Sequence, residues 1–221
     1  MKGLLIKDMK LILKQKSVFI IWVIMAVFLL FANEDPTFGI CFSLFLMAMM
    51  LIGTISYDDF ENGMGFLMTL PVSRKTYVLE KYVLMLGGSL LMGSAITCIN
   101  VVYLVLHPEI MAIRELLLIF AISYLVSAVF SAIYLPFQLK FGAEKGRIIL
   151  VVLGGIIFAV AILTKKAGPY LTSIAGDFSN VIFIINGISP MIWLLGVLFL
   201  TILMLGISLK VSVGIVEKEE Y

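Results

Sequence analysis

From residue 17 onward the chain is a series of apolar runs, each long enough or nearly so to cross a lipid bilayer. A spanning helix needs about 20 mostly apolar residues. Six runs meet that demand: 17–32, 38–56, 78–106, 116–135, 148–164 and 191–209. Charged residues lie almost wholly between them, with Glu80 and Lys81 the exceptions. Only 14% of the residues are charged and 62% are hydrophobic, whereas a soluble domain carries about a quarter charged residues. The pattern predicts an all-α polytopic membrane protein, a single transmembrane domain over residues 1–221 with six transmembrane helices. The first and fifth runs are short, roughly 24–26 Å of helix, and Lys14, Lys16, Lys165 and Lys166 stand where they can snorkel to complete them. Run 78–106 is long, and Glu80 and Lys81 in its first turns predict a helix that projects beyond the membrane.

Lysine and arginine set the orientation. With six spans, thirteen of the sixteen basic residues fall on one side: five before residue 17, three at 74–81, three at 140–147, and Lys210 and Lys218. The other side holds only Arg114, Lys165 and Lys166. Both termini and the connector at 57–76 are therefore expected in the cytoplasm.

Several chemistries are poorly supplied. The one histidine, His107, ends a span, and Cys41 and Cys98 both sit in apolar runs. This set makes neither a zinc site nor a Ser-His-Asp triad, and it predicts buried free thiols, no metal and no catalytic residues. No charged residue lies in the middle of a span, which counts against a proton-relay transporter. The nearest approach to a phosphate loop, Gly88 to Gly93, is followed by Ser94 in place of lysine and lies inside a span.

Other stretches carry finer signals. In "MKGLLIKDMKLILKQK", Lys7, Lys10 and Lys14 share one helical face while Leu5, Met9, Ile12 and Leu13 share the opposite one. That is either an elbow helix over 1–16 lying in the plane of an anionic leaflet, or a plain basic anchor. Segment 165–190 is expected outside. Its run 181–185, between Gly176 and Gly187–Pro190, reads equally as a re-entrant gate or as a helix on the outer leaflet. Ser89, Gly93, Thr97 and Asn100 share a face of the third run, and Ser123, Ser127 and Ser131 repeat the spacing in the fourth. Such small residues let helices approach and hydroxyls bond across them. Among these, Asn100, Thr97, Ser123 and Ser127 are the candidates for a substrate pathway, Asn100 foremost because an unpaired amide in lipid is costly.

The connector is the most specific part of the chain. In "DDFENGMGFLMTLPVSRKTY", Asp58, Asp59 and Glu61 are expected in the first turn of a helix, where carboxylates favour the positive dipole end. Phe60, Met64, Leu67 and Met68 follow as an apolar stripe, Pro71 ends the helix, and Ser73 is placed to cap the next. An apolar stripe outside the membrane needs a partner, and the acidic end disfavours the anionic leaflet, so a soluble protein is the expected partner.

The stretch "YDDFENGMGFLMTLPVSRKTYVLEKY" resembles the segment between spans two and three of ABC-2 type transporter permeases. The matching positions are Glu61, Gly63 or Gly65, Leu67, Leu70, Pro71, Val72, Ser73, Arg74 and Lys81. The basic N-terminal elbow, the six spans and the outer segment before the last span extend the likeness, and the opening resembles the bacterial branch containing phenol-soluble modulin exporters. What the resemblance implies is a coupling helix that docks on a separate ABC ATPase subunit, with Asp58, Asp59, Glu61, Gly63, Met64, Leu67, Leu70, Pro71 and Arg74 as the coupling residues. Which of the three carboxylates makes the contact stays open. It further implies that this chain is no enzyme and holds no cofactor itself, ATP and Mg being bound by the partner. A second permease chain, identical or related, would complete the unit in a bacterial cytoplasmic membrane, with membrane lipids as neighbours and no nucleic acid. The implied function is export of a hydrophobic or amphipathic peptide or lipid-like substrate. A non-transporting immunity or sensing subunit of the same fold is the alternative. A membrane enzyme or secondary transporter is disfavoured by the missing intramembrane charges.

Overall fold

A computed structural model describes residues 2–33, 36–59, 63–69, 72–174 and 190–218. These form seven helices: α1 (Lys2–Lys14), α2 (Lys16–Asn33), α3 (Pro36–Asp59), α4 (Gly63–Thr69), α5 (Arg74–Leu106), α6 (Ile113–Ile174) and α7 (Pro190–Lys218). Four helical stretches, Pro36–Asp58, Arg74–Leu106, Ile113–Gly142 and Leu194–Lys218, are long and apolar enough to cross a membrane. A fifth exists if α1 and α2, which meet at 60°, are counted as one bent span. The chain is an integral membrane protein, and its outer surface agrees: Phe28, Leu91 and Phe199 are among many large apolar side chains left exposed. Lipid, unlike water, does not penalise them.

Helix α3 is the centre of the bundle, packed against α1, α2, α4, α5 and α6, while α7 packs on α6 and α5. Two apolar clusters divide the interior along its length. At the connector end, Leu4 and Ile12 of α1 meet Leu51 and Ile55 of α3, Met64 of α4, Tyr77 and Tyr82 of α5, Tyr134 of α6 and Val216 of α7. At the opposite end Ala26, Ile40, Leu44, Ile96, Leu104 and Leu116 form a smaller cluster.

No loop separates the fourth and fifth apolar runs. Helix α6 continues from one into the other and breaks at Gly142 alone, where φ is 72° and ψ is −177°. A left-handed φ costs glycine little and other residues more, so the kink needs a single glycine. Of the segment 165–190, residues to Ile174 continue α6 and Pro190 opens α7. Residues 175–189, including the run 181–185, lie outside the described residues.

The small-residue line on α5 does permit close packing, and Gly93 is where it matters. A Cβ there would stand 2.6 Å from Leu44 Cδ2 and 2.7 Å from Phe120 Cε2, at the meeting of α3, α5 and α6. Gly93→Leu is expected to overpack this junction and cost about 1–3 kcal/mol, measurable as a lower midpoint in unfolding from detergent. An unchanged midpoint would show that the three helices can part without loss.

Hydroxyls that were expected to bond across helices mostly do not. Thr97 Oγ1 donates to Gly93 O at 2.8 Å and Ser131 Oγ to Ser127 O at 2.8 Å, each within its own helix. A hydroxyl four residues after a carbonyl reaches it without any help from a neighbour. Ser123 alone of the named set reaches across, lying 3.1 Å from Cys41 Sγ on α3. Cys41 and Cys98 are free thiols but exposed toward the outer face rather than buried.

Candidate functional site

The connector does not begin as its carboxylates suggest. Asp58 and Asp59 belong to the last turn of α3, not to the first turn of a new helix, and α4 starts only at Gly63. Carboxylates at a helix C-terminus oppose its dipole, so this placement requires cations from elsewhere. Asp58 obtains them. It is buried, and Lys7 Nζ of α1 donates to its Oδ1. Tyr77 OH donates to Asp58 Oδ2 at 3.1 Å, and Lys81 Nζ lies 2.7 Å from the same oxygen.

Lys81 and Asp8 complete the group. Lys81 is 1% exposed and Asp8 fully buried. Lys81 Nζ donates to Asp8 Oδ2 and to Thr54 Oγ1, the latter at 3.3 Å, and stands 5.2 Å from the centre of the Tyr77 ring. Lys7 Nζ also lies 3.1 Å from Asp8 Oδ1. Burial works to lower the Lys7 pKa, but the hydrogen bond and charge of Asp58, with the charge of Asp8, outweigh it and hold the ammonium above its ordinary value. Glu80 is buried beside this cluster, and neither of its carboxyl oxygens finds a hydrogen-bond partner among the described residues. Two ammonium groups and two aspartates thus lock α1, α3 and α5 together at the connector end.

This arrangement corrects one expectation. Lys7 faces the bundle and not a lipid headgroup, because α1 buries the stripe Leu4, Asp8 and Ile12 and leaves Met9 and Leu13 exposed. Glu80 and Lys81 are enclosed by the bundle, and α5 runs unbroken past them from its cap at Ser73, whose Oγ accepts from Thr76 N at 3.2 Å.

Further polar ties gather at the same end. Gln138 Nε2 of α6 donates to Ser56 Oγ of α3 at 3.1 Å, and Gln138 Oε1 accepts from Tyr134 OH at 3.0 Å. Tyr82 OH is 2.5 Å from Ser208 Oγ and 3.0 Å from Ser212 Oγ on α7. Arg74 Nη1 donates to the carbonyls of Val216 at 3.1 Å and Glu217 at 2.6 Å, closing the C-terminus of α7 where a cation suits the dipole. The N-terminal helix, the connector and the C-terminal helix therefore share one end of the molecule.

The short helix α4 sits on this base. Met64 is buried in the connector-end cluster and Leu67 packs against it. Of the stripe expected to face a partner, Met64 and Leu67 are therefore turned inward, because a seven-residue helix under the bundle closes the apolar core first. What faces outward is Phe66, 70% exposed. Beside it a concavity of about 510 Å³ opens between α1, the end of α3 and α4, bordered by Lys7, Tyr57, Asp58, Gly63, Phe66 and Val72. Gly63 is held against the end of α3, where a Cβ would lie 2.7 Å from Asp58 O. Phe60, Glu61, Leu70 and Pro71 lie outside the described residues.

Among the described residues no hydrogen bond joins the intramembrane candidates to one another. Asn100 is buried and its Nδ2 has no hydrogen-bond partner among the described residues; the same holds for Ser89 and Ser127 Oγ. Thr97 and Ser123 are occupied as described. Among the described residues no cluster of histidine, cysteine and carboxylates could hold a metal.

Two residues that matter here escaped the sequence reading. Asp8 had a signal: an acid four residues from Leu4 and four from Ile12 lies on a buried stripe. Phe66 had none, since its exposure follows from how α4 is seated.

The family model described as ABC-2 family transporter protein matches residues 3–217. No curated protein and no solved structure matches the chain.

Proposed function

The chain belongs to the ABC-2 transporter family, and from that premise we propose that it is the permease subunit of an ATP-driven exporter. Members of the family are transmembrane rather than catalytic subunits and work with an ATPase partner. In this reading α2, α3, α5, the two parts of α6 and α7 are the six spans, α1 is the elbow, and both termini are cytoplasmic in a bacterial cell membrane. A separate ABC ATPase binds ATP and Mg and docks on α4, the coupling helix. A second permease, identical or related, completes the pathway, and the cargo is a hydrophobic or amphipathic peptide or lipid-like molecule moved outward.

The observation that carries the docking site is Phe66, a large apolar side chain exposed beside a 510 Å³ concavity on a helix fixed to the bundle from beneath. An aromatic anchor next to a pocket is what a protein interface uses for its strongest contacts. Asp58 and Arg74 support this surface from within, and Phe66 is the side chain placed to reach the partner.

The test is affinity purification of the chain in mild detergent after co-expression with an ABC ATPase. A stable complex whose ATP hydrolysis differs from that of the ATPase alone is the expected result. A chain that purifies without the ATPase and leaves its turnover unchanged would refute the coupling role.

A further inference from the structure

We propose that the groove between α6 and α7 holds one acyl chain of an anionic phospholipid, whose headgroup pairs with Lys140 at the connector end. The groove measures about 480 Å³, and ligand sites commonly measure about 300–1,000 Å³. Ile133 and Phe137 of α6 form one wall, and Met204, Ile207 and Val211 of α7 form the other. All but Met204 are exposed, so the groove opens outward and not into the core. From Met204 to Ile215 the wall of α7 rises about 16 Å, close to the roughly 15 Å of hydrocarbon in one leaflet. That length and apolarity fit a single lipid tail.

The headgroup follows from the one charge in the lining. Pro136 has no N–H, so the carbonyl of Ala132 lacks its helical donor. Ser208 Oγ of α7 donates to it instead, which uses the hydroxyl that borders the groove. Lys140 is then the only charged residue of the lining, and no carboxylate accompanies it. It is exposed, and it has no ion pair among the described residues. Two positions before it, Gln138 bonds Ser56 near the end of α3, which places Lys140 at the connector end of the groove. Lys218 adds a second cation. Val211 and Ile215 line the groove, and Lys218 follows them at i+7 and i+3 on the same face of α7, exposed and without an ion pair among the described residues. Basic pockets between membrane helices take anionic headgroups, and the charge sets their preference over zwitterionic lipids with the same tails. This inference requires the bundle to lie in a bilayer but not the docking of an ATPase.

The full chain in nanodiscs doped with phosphatidylglycerol or phosphatidylcholine, each carrying a diazirine on one acyl chain, tests it by mapping crosslinks. Phosphatidylglycerol should label Ile133, Phe137, Ile207 and Val211 and outcompete phosphatidylcholine there. Lys140→Gln should remove about fivefold of that preference, and Lys140→Gln with Lys218→Gln more, while phosphatidylcholine labelling stays as it was. Lys140→Arg should keep the preference. Val211→Trp, which fills the groove from its exposed side, should cut phosphatidylglycerol labelling at Ile133 and Phe137 at least fivefold and leave labelling at the exposed Leu91 of α5 unchanged. Ile207→Trp should do the same if Val211→Trp fails to fold. Equal labelling by the two lipids in the unaltered chain would overturn the proposal, as would a preference that survives loss of both lysines. So would labelling that neither tryptophan reduces, or labelling lost when two copies share one nanodisc, which would give the groove to a second chain.

Discussion

Lys81→Met should unfold the connector end, lowering stability by about 3–5 kcal/mol, because it strands Asp8 and Asp58 as buried carboxylates with only Lys7 to serve both. The loss comes from the charges left behind more than from the attraction removed. Lys81→Met combined with Asp8→Asn should therefore be more stable than Lys81→Met alone, a coupling that a double-mutant cycle reads directly. Unfolding by denaturing detergent, followed by tryptophan fluorescence or circular dichroism, gives the numbers. If the single variant matched the parent within about 0.5 kcal/mol, water or protons would be neutralising these aspartates and the lock would be an empty description. If the double variant were the worst of the set, the two residues would be acting independently.

Phe66→Asp should leave the fold intact and strongly weaken ATPase binding. Truncated or charged hot spots cost about 2–4 kcal/mol, so affinity should fall roughly thirtyfold to a thousandfold. Glu61→Ala should weaken the same association by less. Met64→Asp separates surface from core: Met64 is 4% exposed, so a carboxylate there should lower stability first and binding only as a result. Titration of the ATPase against the chain in nanodiscs, with melting curves on each variant, distinguishes these cases. Full binding by Phe66→Asp would move the docking surface away from α4, and the 510 Å³ concavity beside it would lose its assignment.

How much of this was legible beforehand differs from element to element for physical reasons. The apolar runs needed no tertiary information, since a helix in lipid must satisfy its own backbone, and α3, α5 and α7 lie where their hydropathy puts them. The break between α1 and α2 at Gln15 was marked by the end of the lysine-rich stretch. The cap at Ser73 is a local bond to Thr76 and was local in the sequence too. The extent of α3 was not. Reading Asp58 and Asp59 as a helix start obeyed the dipole rule, but Lys7 and Lys81, 51 and 23 positions away in the chain, reverse the local preference. Amphipathicity identified α4 but not which neighbour covers its stripe, and the bundle itself turned out to cover Met64 and Leu67. The serine and threonine ladders were misread for a related reason. Spacing places hydroxyls on one face but leaves open whether they reach a neighbour or their own carbonyls.

Polar bonds are unevenly distributed along the bundle. At the connector end, ion pairs, Gln138, Tyr82 and Arg74 join α1, α3, α5, α6 and α7. At the other end the contacts are mainly those of Ile40, Leu44, Ile96, Leu104 and Leu116. In a bilayer such apolar contacts compete with lipid tails on nearly equal terms, because no water is released when they form. Cohesion is thus directional at one pole and fluid at the other. A tilt imposed on α3 or α5 at the bonded pole is carried along each rod, while at the far pole lipid can replace protein neighbours at little cost. The bundle behaves like tongs riveted at the grip, with tips that part more readily than the hinge.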